Sequence, residues 1–191
     1  LNLYEKAEYI IHEYFRYKFI NKKDYNILLA KNLLEHANHL IASSQKDKAL
    51  PLLEKALKIN PSYYEAVITL ARLHSQNNYK KLSYKIIEKA WKTQPSMMLA
   101  DLILNVSQDE TLNKKIQLLE NLIDEKPNFK EGYIALAELY IKEDMLTQGR
   151  AVMDKLLALH APDPETCKLM ALIEAKAHNN HSVIINWLHR L

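Results

Sequence analysis

Glycine is nearly missing from this sequence, at 2 of 191 residues. Strand-rich folds and phosphate-cradling loops use glycine for positive φ or for close approach of backbone to ligand. None of G-x-x-x-x-G-K-[ST], G-x-G-x-x-G or G-x-S-x-G occurs, so no P-loop, dinucleotide fingerprint or nucleophile elbow is encoded. The single cysteine, Cys167, excludes an internal disulfide and gives no zinc or haem-attachment spacing. It reads as a small apolar helix residue in a reducing compartment. No run approaches the roughly 18 apolar residues that a membrane helix needs. No basic, then apolar, then small-residue leader opens the chain either. The first residue is Leu1 rather than Met, as in a piece of a longer protein, which leaves room for an anchor upstream.

Charge of one sign is also lacking overall, at +3, but the halves differ. Residues 1–95 hold 16 Lys+Arg against 9 Asp+Glu (+7), and residues 96–191 hold 10 against 14 (−4). A solvated surface explains this most simply; attraction to an anionic membrane or an acidic partner is the sharper reading. The basic residues look dispersed, without the aromatic–basic motif of an RNA-binding module, so no nucleic-acid partner is expected.

What is present is an internal repeat. Asn60-Pro61, Gln94-Pro95 and Lys126-Pro127 each close an amphipathic run, at spacings of 34 and 32 residues. With the terminal proline as position 32, small residues recur at positions 8 and 20: Ala37 and Ala49, Ala71 and Ser83, Ala137 and Gly149. Position 24 holds Leu53, Ile87 and Met153, and position 27 holds Ala56, Ala90 and Leu156. A period of 34 with small residues where two helices cross and a large one between repeats is the tetratricopeptide pattern. The expected fold is all-α, a right-handed α-solenoid of tetratricopeptide-like helical hairpins with about eleven helices. It is read as a single domain over 1–191, with a capping helix in 1–22 and repeats at 24–62, 63–95, 96–127, 128–161 and 162–191.

The helices are expected at about 2–19, 24–44, 46–58, 62–76, 79–93, 96–106, 111–125, 129–142, 146–160, 163–177 and 180–190. Pro51 is placed in the first turn of its helix, where a missing N–H costs nothing. The third repeat is shortened around Asn105–Asp109. The first helix carries Tyr4, Tyr9, Tyr14, Tyr17, Ile10, Ile11 and Phe15. It reads first as a cap over the apolar end of the stack and second as a partner- or membrane-facing aromatic surface.

Candidate chemistry is sparse. His178 and His181, like His36 and His39, are spaced i, i+3, but two imidazoles without a third ligand make a poor metal site. Asp109-Glu110, Asp124-Glu125 and Glu143-Asp144 sit at helix edges, where nothing separates their pKa values as acid–base catalysis requires. The sequence therefore predicts no catalytic residue, no metal and no cofactor: not an enzyme.

The segments Ile86–Leu104 (IIEKAWKTQPSMMLADLIL) and Ala161–Ala175 (APDPETCKLMALIEA), with Asn186-Trp187-Leu188, resemble the carboxy-terminal tetratricopeptide region of the HemY-type proteins. The order of features is similar too: a leading amphipathic helix, Glu88-Lys89-Ala90-Trp91 ending in Pro95, a short irregular repeat, then Lys168-Leu169-Met170-Ala171. That resemblance implies a repeat domain on the cytoplasmic side of the bacterial inner membrane, helping to organise late haem-pathway enzymes. Membrane association would then come only through a segment not present in this chain. It does not imply the flavin-dependent oxidase that shares the name, because the dinucleotide fingerprint is missing.

The expected function is a non-catalytic protein–protein interaction scaffold. Positions 5 and 9 of each repeat are expected to face a concave groove: Leu34 and Asn38, Ile68 and Arg72, Ile134 and Glu138, Lys168 and Leu172, with Thr69 and Gln76 nearby. An apolar floor with a few charges suits an amphipathic helix or extended peptide, with Arg72 at one end, an apolar middle near Val106 and Glu138 at the other. The groove is not that of a chaperone-tail clamp: Asn38 matches, but Leu34 stands where that clamp needs Lys and Thr69 where it needs Asn. A haem or porphyrin carrier and a purely structural oligomerisation module are the rival readings.

Overall fold

The computed structural model describes residues 3–177 and 181–190, and the described residues form eleven helices with no strand. They gather into two compact units, Leu1–Gln94 and Pro95–Leu191. The first contains α1 (Leu3–Arg16), α2 (Lys22–Ala42), α3 (Lys46–Ile59), α4 (Tyr64–Gln76) and α5 (Lys80–Thr93). The second contains α6 (Met97–Val106), α7 (Leu112–Glu125), α8 (Lys130–Lys142), α9 (Leu146–Leu159), α10 (Pro164–Ala177) and α11 (His181–Leu188). Every edge lies within three residues of the position expected from the sequence.

Two kinds of turn alternate, and each has a local cause. After α2, α4 and α8 the chain turns through one left-handed residue: Ser44 (φ 61°), Asn78 (φ 62°) and Asp144 (φ 57°). The next amide bonds back to the final helical turn, Gln45 N to Leu40 O, Tyr79 N to His74 O and Met145 N to Tyr140 O, each at 2.8 Å. Glycine normally takes that position, and this glycine-poor chain uses Ser, Asn and Asp instead. After α3, α5 and α7 the closing residues Asn60, Gln94 and Lys126 leave helical geometry at ψ 90°, 94° and 69°. The proline after each sterically excludes the α conformation there.

Small residues let the hairpins close. Ala37, Ala49, Ala71, Ser83 and Ala137 are fully buried. Ser83 Oγ donates to the Ala71 carbonyl at 2.7 Å across the α4–α5 crossing, so even this hydroxyl is satisfied. At the α8–α9 crossing a Cβ on Gly149 would stand 3.4 Å from Tyr140 Cβ and 3.7 Å from the Ala137 carbonyl oxygen. In the first unit the core is continuous from Leu29, Leu33 and Leu34 through Leu53 and Ala56 to Ala66, Leu70 and Leu73. In the second, α8 packs against α6, α7, α9 and α10, and Leu119, Leu122, Ile134, Met153, Leu156 and Met170 are fully buried.

Pro51 is a correction. Helix α3 starts at Lys46, which puts Pro51 at its sixth position rather than in the first turn. Its missing N–H leaves the Asp47 carbonyl without an i+4 partner, a loss made tolerable because Asp47 is exposed and water can bond there. Pair His178/His181 includes a member, His178, that lies outside the described residues.

Candidate functional site

In the first unit Asn38 on α2 and Arg72 and Gln76 on α4 are exposed, and Ile68 and Thr69 on α4 are half-buried. Thr69 Oγ1 bonds its own helix at the Glu65 carbonyl (2.8 Å), so its methyl and hydroxyl are held in one orientation. Gln76 Oε1 accepts from Lys46 Nζ at 3.3 Å. Burial, followed by the charges of Glu65 and Glu35, pushes the Tyr63 phenol above its ordinary pKa, which places two carboxylates around that ring.

In the second unit Lys168 and Leu172 are exposed on α10 and Glu138 on α8. Leu34 and Ile134 behave differently from the other position-5 residues: at 6% and 1% exposure they are core side chains, supporting the surface from beneath rather than touching a partner. Val106 is likewise buried at 5% exposure. The residue of α6 that acts on Glu138 is Asp101, so an apolar middle at this point is replaced by a carboxylate.

Glu138 is the electrostatic centre of this face. Burial, then Asp101 from α6 and Glu165 from α10, push its carboxyl above the usual glutamate pKa. Carboxylates from the two flanking helices thus both act on Glu138 and disfavour its ionisation. One edge of the group is already neutralised. Lys130 Nζ bridges Asp163 (2.6 Å) and Glu165 (3.1 Å), and the Asp163 hydrogen bond, with that of Glu165, raises the lysine pKa. Asp163 also caps α10. Its Oδ1 accepts from Thr166 N at 2.9 Å, and Thr166 Oγ1 accepts from Asp163 N at 2.9 Å. The Lys130 bond and then the Thr166 amide hold its carboxyl down at about 2.

Sequence reasoning missed Asp101, Lys130, Asp163 and Glu165. The local signal for part of this set was present: Asp163-Pro164-Glu165-Thr166 spells an N-cap, a proline at the first helical position and a reciprocal cap three residues on. Asp101 had no such signal, because its role depends on α6 lying against α8.

The described histidines that make ring contacts meet aromatic side chains. His36 stacks on Tyr4 (4.8 Å between centroids, 8° between planes), and His39 tilts against the same ring at 5.6 Å. His12 Nδ1 meets Tyr25 OH at 3.0 Å. Among the described residues no three His, Cys, Asp or Glu side chains are grouped to hold a metal ion. Cys167 is buried. Among the same residues no helix is long and apolar enough to cross a membrane.

Residues 40–97 match the family model described as tetratricopeptide repeat. No curated protein matches the chain. Among solved structures it is similar to the MamA RS-1 ArsTM double mutant, at 14% identity over 84% of this chain and 91% of that one, with a TM-score of 0.48. It is also similar to YrrB, described as a TPR protein with an unusual peptide-binding site, at 16% identity over 84% of each chain and a TM-score of 0.46. A tetratricopeptide repeat protein from Parabacteroides merdae is similar at 16% identity, covering 83% of this chain and 65% of that one, with a TM-score of 0.49.

Proposed function

We propose that this chain is a non-catalytic scaffold that holds a basic amphipathic helix or extended segment of a partner protein. The observation that carries this reading is the gathering of Asp101, Glu138 and Glu165 from three helices of one unit, with the Glu138 carboxyl pushed up by burial and by its two acidic neighbours. The Glu138 carboxylate is disfavoured by these neighbours and gains from a cation brought by a partner. Lys168 and Leu172, exposed on α10, add a directional charge and an apolar contact. In the first unit Asn38, Ile68, Arg72 and Gln76 would form the corresponding face, where Arg72, with Lys46 at Gln76, favours an acidic or polar stretch of partner. Buried Leu34 and Ile134 set the shape of these faces from below.

The finer reading is that the partners are late haem-pathway enzymes, organised at the cytoplasmic side of the inner membrane. Its support is the resemblance carried by Glu88-Lys89-Ala90-Trp91 and Lys168-Leu169-Met170-Ala171. The test is capture of those enzymes by the chain and by the doubly reversed variant Arg72→Glu/Glu138→Arg. Both sites are exposed, so the helical circular-dichroism signal should persist. Loss or change of captured enzymes supports the reading, and unchanged capture moves binding to another surface.

A further inference from the structure

Exposed apolar side chains are concentrated at one end of the first unit, and a strongly basic segment is joined to them. Of the sixteen large apolar or aromatic side chains exposed among the described residues, eight fall between Leu3 and Leu28. Helix α1 has two apolar stripes. Tyr4, Ile11 and Phe15 are half-buried: Tyr4 stacks on His36, and Phe15 stacks on Tyr25 with ring centroids 4.4 Å apart. Leu3, Ile10 and Tyr14, at i, i+7 and i+11, form a second stripe that stays exposed. Beyond the helix the chain turns at Lys18 (φ 59°). That turn brings Phe19 edge-on to Tyr14 at 5.6 Å and to 6.2 Å from Tyr17. Phe19 thus links the two tyrosine rings, and Phe19, Tyr14 and Tyr17 remain 72%, 51% and 59% exposed.

Residues 16–23 read Arg-Tyr-Lys-Phe-Ile-Asn-Lys-Lys, four cations and no acid. Arg16 is partly spent on Glu13 (2.7 Å) and the Tyr17 hydroxyl (2.8 Å). Lys22 Nζ lies over the Phe15 and Tyr25 rings at 5.2 and 4.8 Å, on an exposed residue. Asp24, the next acid, is engaged by the Asn21 side chain at 2.8 Å as part of the α2 cap. Lys18 and Lys23 are exposed.

We propose that this tip is a docking surface for an anionic lipid bilayer, with Tyr14, Tyr17 and Phe19 entering the headgroup layer and Lys18, Lys22 and Lys23 lying over the anionic lipids. Charge complementarity and residue type select this occupant. Lysine is depleted where proteins bury contact with one another, whereas tyrosine beside lysine is the composition of membrane–water interfaces. The proposal uses residues 3–28 only and does not depend on the partner-binding reading.

The test is co-sedimentation of the whole chain with vesicles of phosphatidylcholine alone, or containing roughly one-third phosphatidylglycerol. The chain should bind the anionic vesicles at least about fivefold more than the neutral ones, and added salt should weaken that binding. Tyr17→Ser/Phe19→Ser and, separately, Lys18→Glu/Lys23→Glu should each lower the bound fraction at least about fivefold with the helical signal retained. Leu159→Ser, at an exposed position of the second unit, should leave it unchanged. Binding that neither pair of substitutions reduces, or no binding to anionic vesicles, overturns the proposal. So does a self-associated form of the chain that Tyr17→Ser/Phe19→Ser dissolves while vesicles stay unbound, since a second copy would then be the occupant.

Discussion

Helix α8 buries nine of its 13 residues, whereas α1, one residue longer, buries none. The sequences differ little in apolar content; the number of neighbours differs. Four helices surround α8, so its side chains meet protein on nearly every side. Helix α1 rests on α2, where Asn32 Nδ2 donates to the Tyr4 carbonyl at 3.0 Å. It reaches α3 through Lys55 Nζ, which donates to Glu8 Oε1 at 2.6 Å. Burial pushes the Glu8 carboxyl up, but Lys55 and then His12 outweigh it and hold the pKa below the usual value. An amphipathic helix at the end of a repeat array keeps one face uncovered, and what that face carries becomes available for another purpose. The surfaces differ as well, with the basic half bearing the aromatic tip and the acidic half bearing the Glu138 face.

The largest expected effect separates the two helices by stability. Ile134→Ala in α8 removes a side chain that is 1% exposed, and should cost about 2–5 kcal/mol. Ile10→Ala in α1, 52% exposed, should stay within about 0.5 kcal/mol. Chemical denaturation of both variants measures the contrast, and equal losses would remove it. Ala71→Leu should come next, at about 1–3 kcal/mol, by overpacking the crossing with Ser83. An unchanged melting temperature would contradict the close approach of α4 and α5.

This degree of detail was legible in the sequence where the cause is local. Prolines after Asn60, Gln94 and Lys126 mark the ends of three helices, and small residues at Ala37, Ala71 and Ala137 mark the crossings. Eleven helices follow from those signals. The Glu138 environment was not legible, because Asp101 and Glu165 lie 37 and 27 residues away along the chain and come together only through packing. The basic residues at the α1–α2 tip read as dispersed; the turn at Lys18, which is what gathers the rings beside them, follows no glycine or asparagine that would announce it. Pro51 was misplaced because, with α3 starting at Lys46 as expected, it falls at the sixth helical position, past the free amides of the first turn.

A smaller effect sharpens the acidic half. Asp163 has its carboxyl at about 2 in the folded state, below the roughly 3.9 of an unfolded aspartate. A depressed folded pKa contributes stability that is fully present above the unfolded value and is lost as pH falls toward about 2. Asp163→Asn should therefore lower stability at neutral pH and have progressively less effect between those two values. Denaturation midpoints of both proteins across that interval check this, and a difference that persists at the acid end would contradict it. Smaller again, Ser44→Gly relieves a left-handed residue at φ 61°, and should raise stability by about 1 kcal/mol or less.

The most direct test of the scaffold reading is calorimetric titration of a Lys/Arg-rich amphipathic peptide into the chain and into Asp101→Lys/Glu138→Lys. The wild-type chain should bind the peptide, and should bind it more weakly as falling pH protonates Glu138, whose pKa is already raised. The variant, with its fold intact by circular dichroism, should bind at least about tenfold more weakly, because attraction across the interface becomes repulsion. Equal affinity of the two proteins for the peptide would contradict a partner held on the acidic face of α6, α8 and α10.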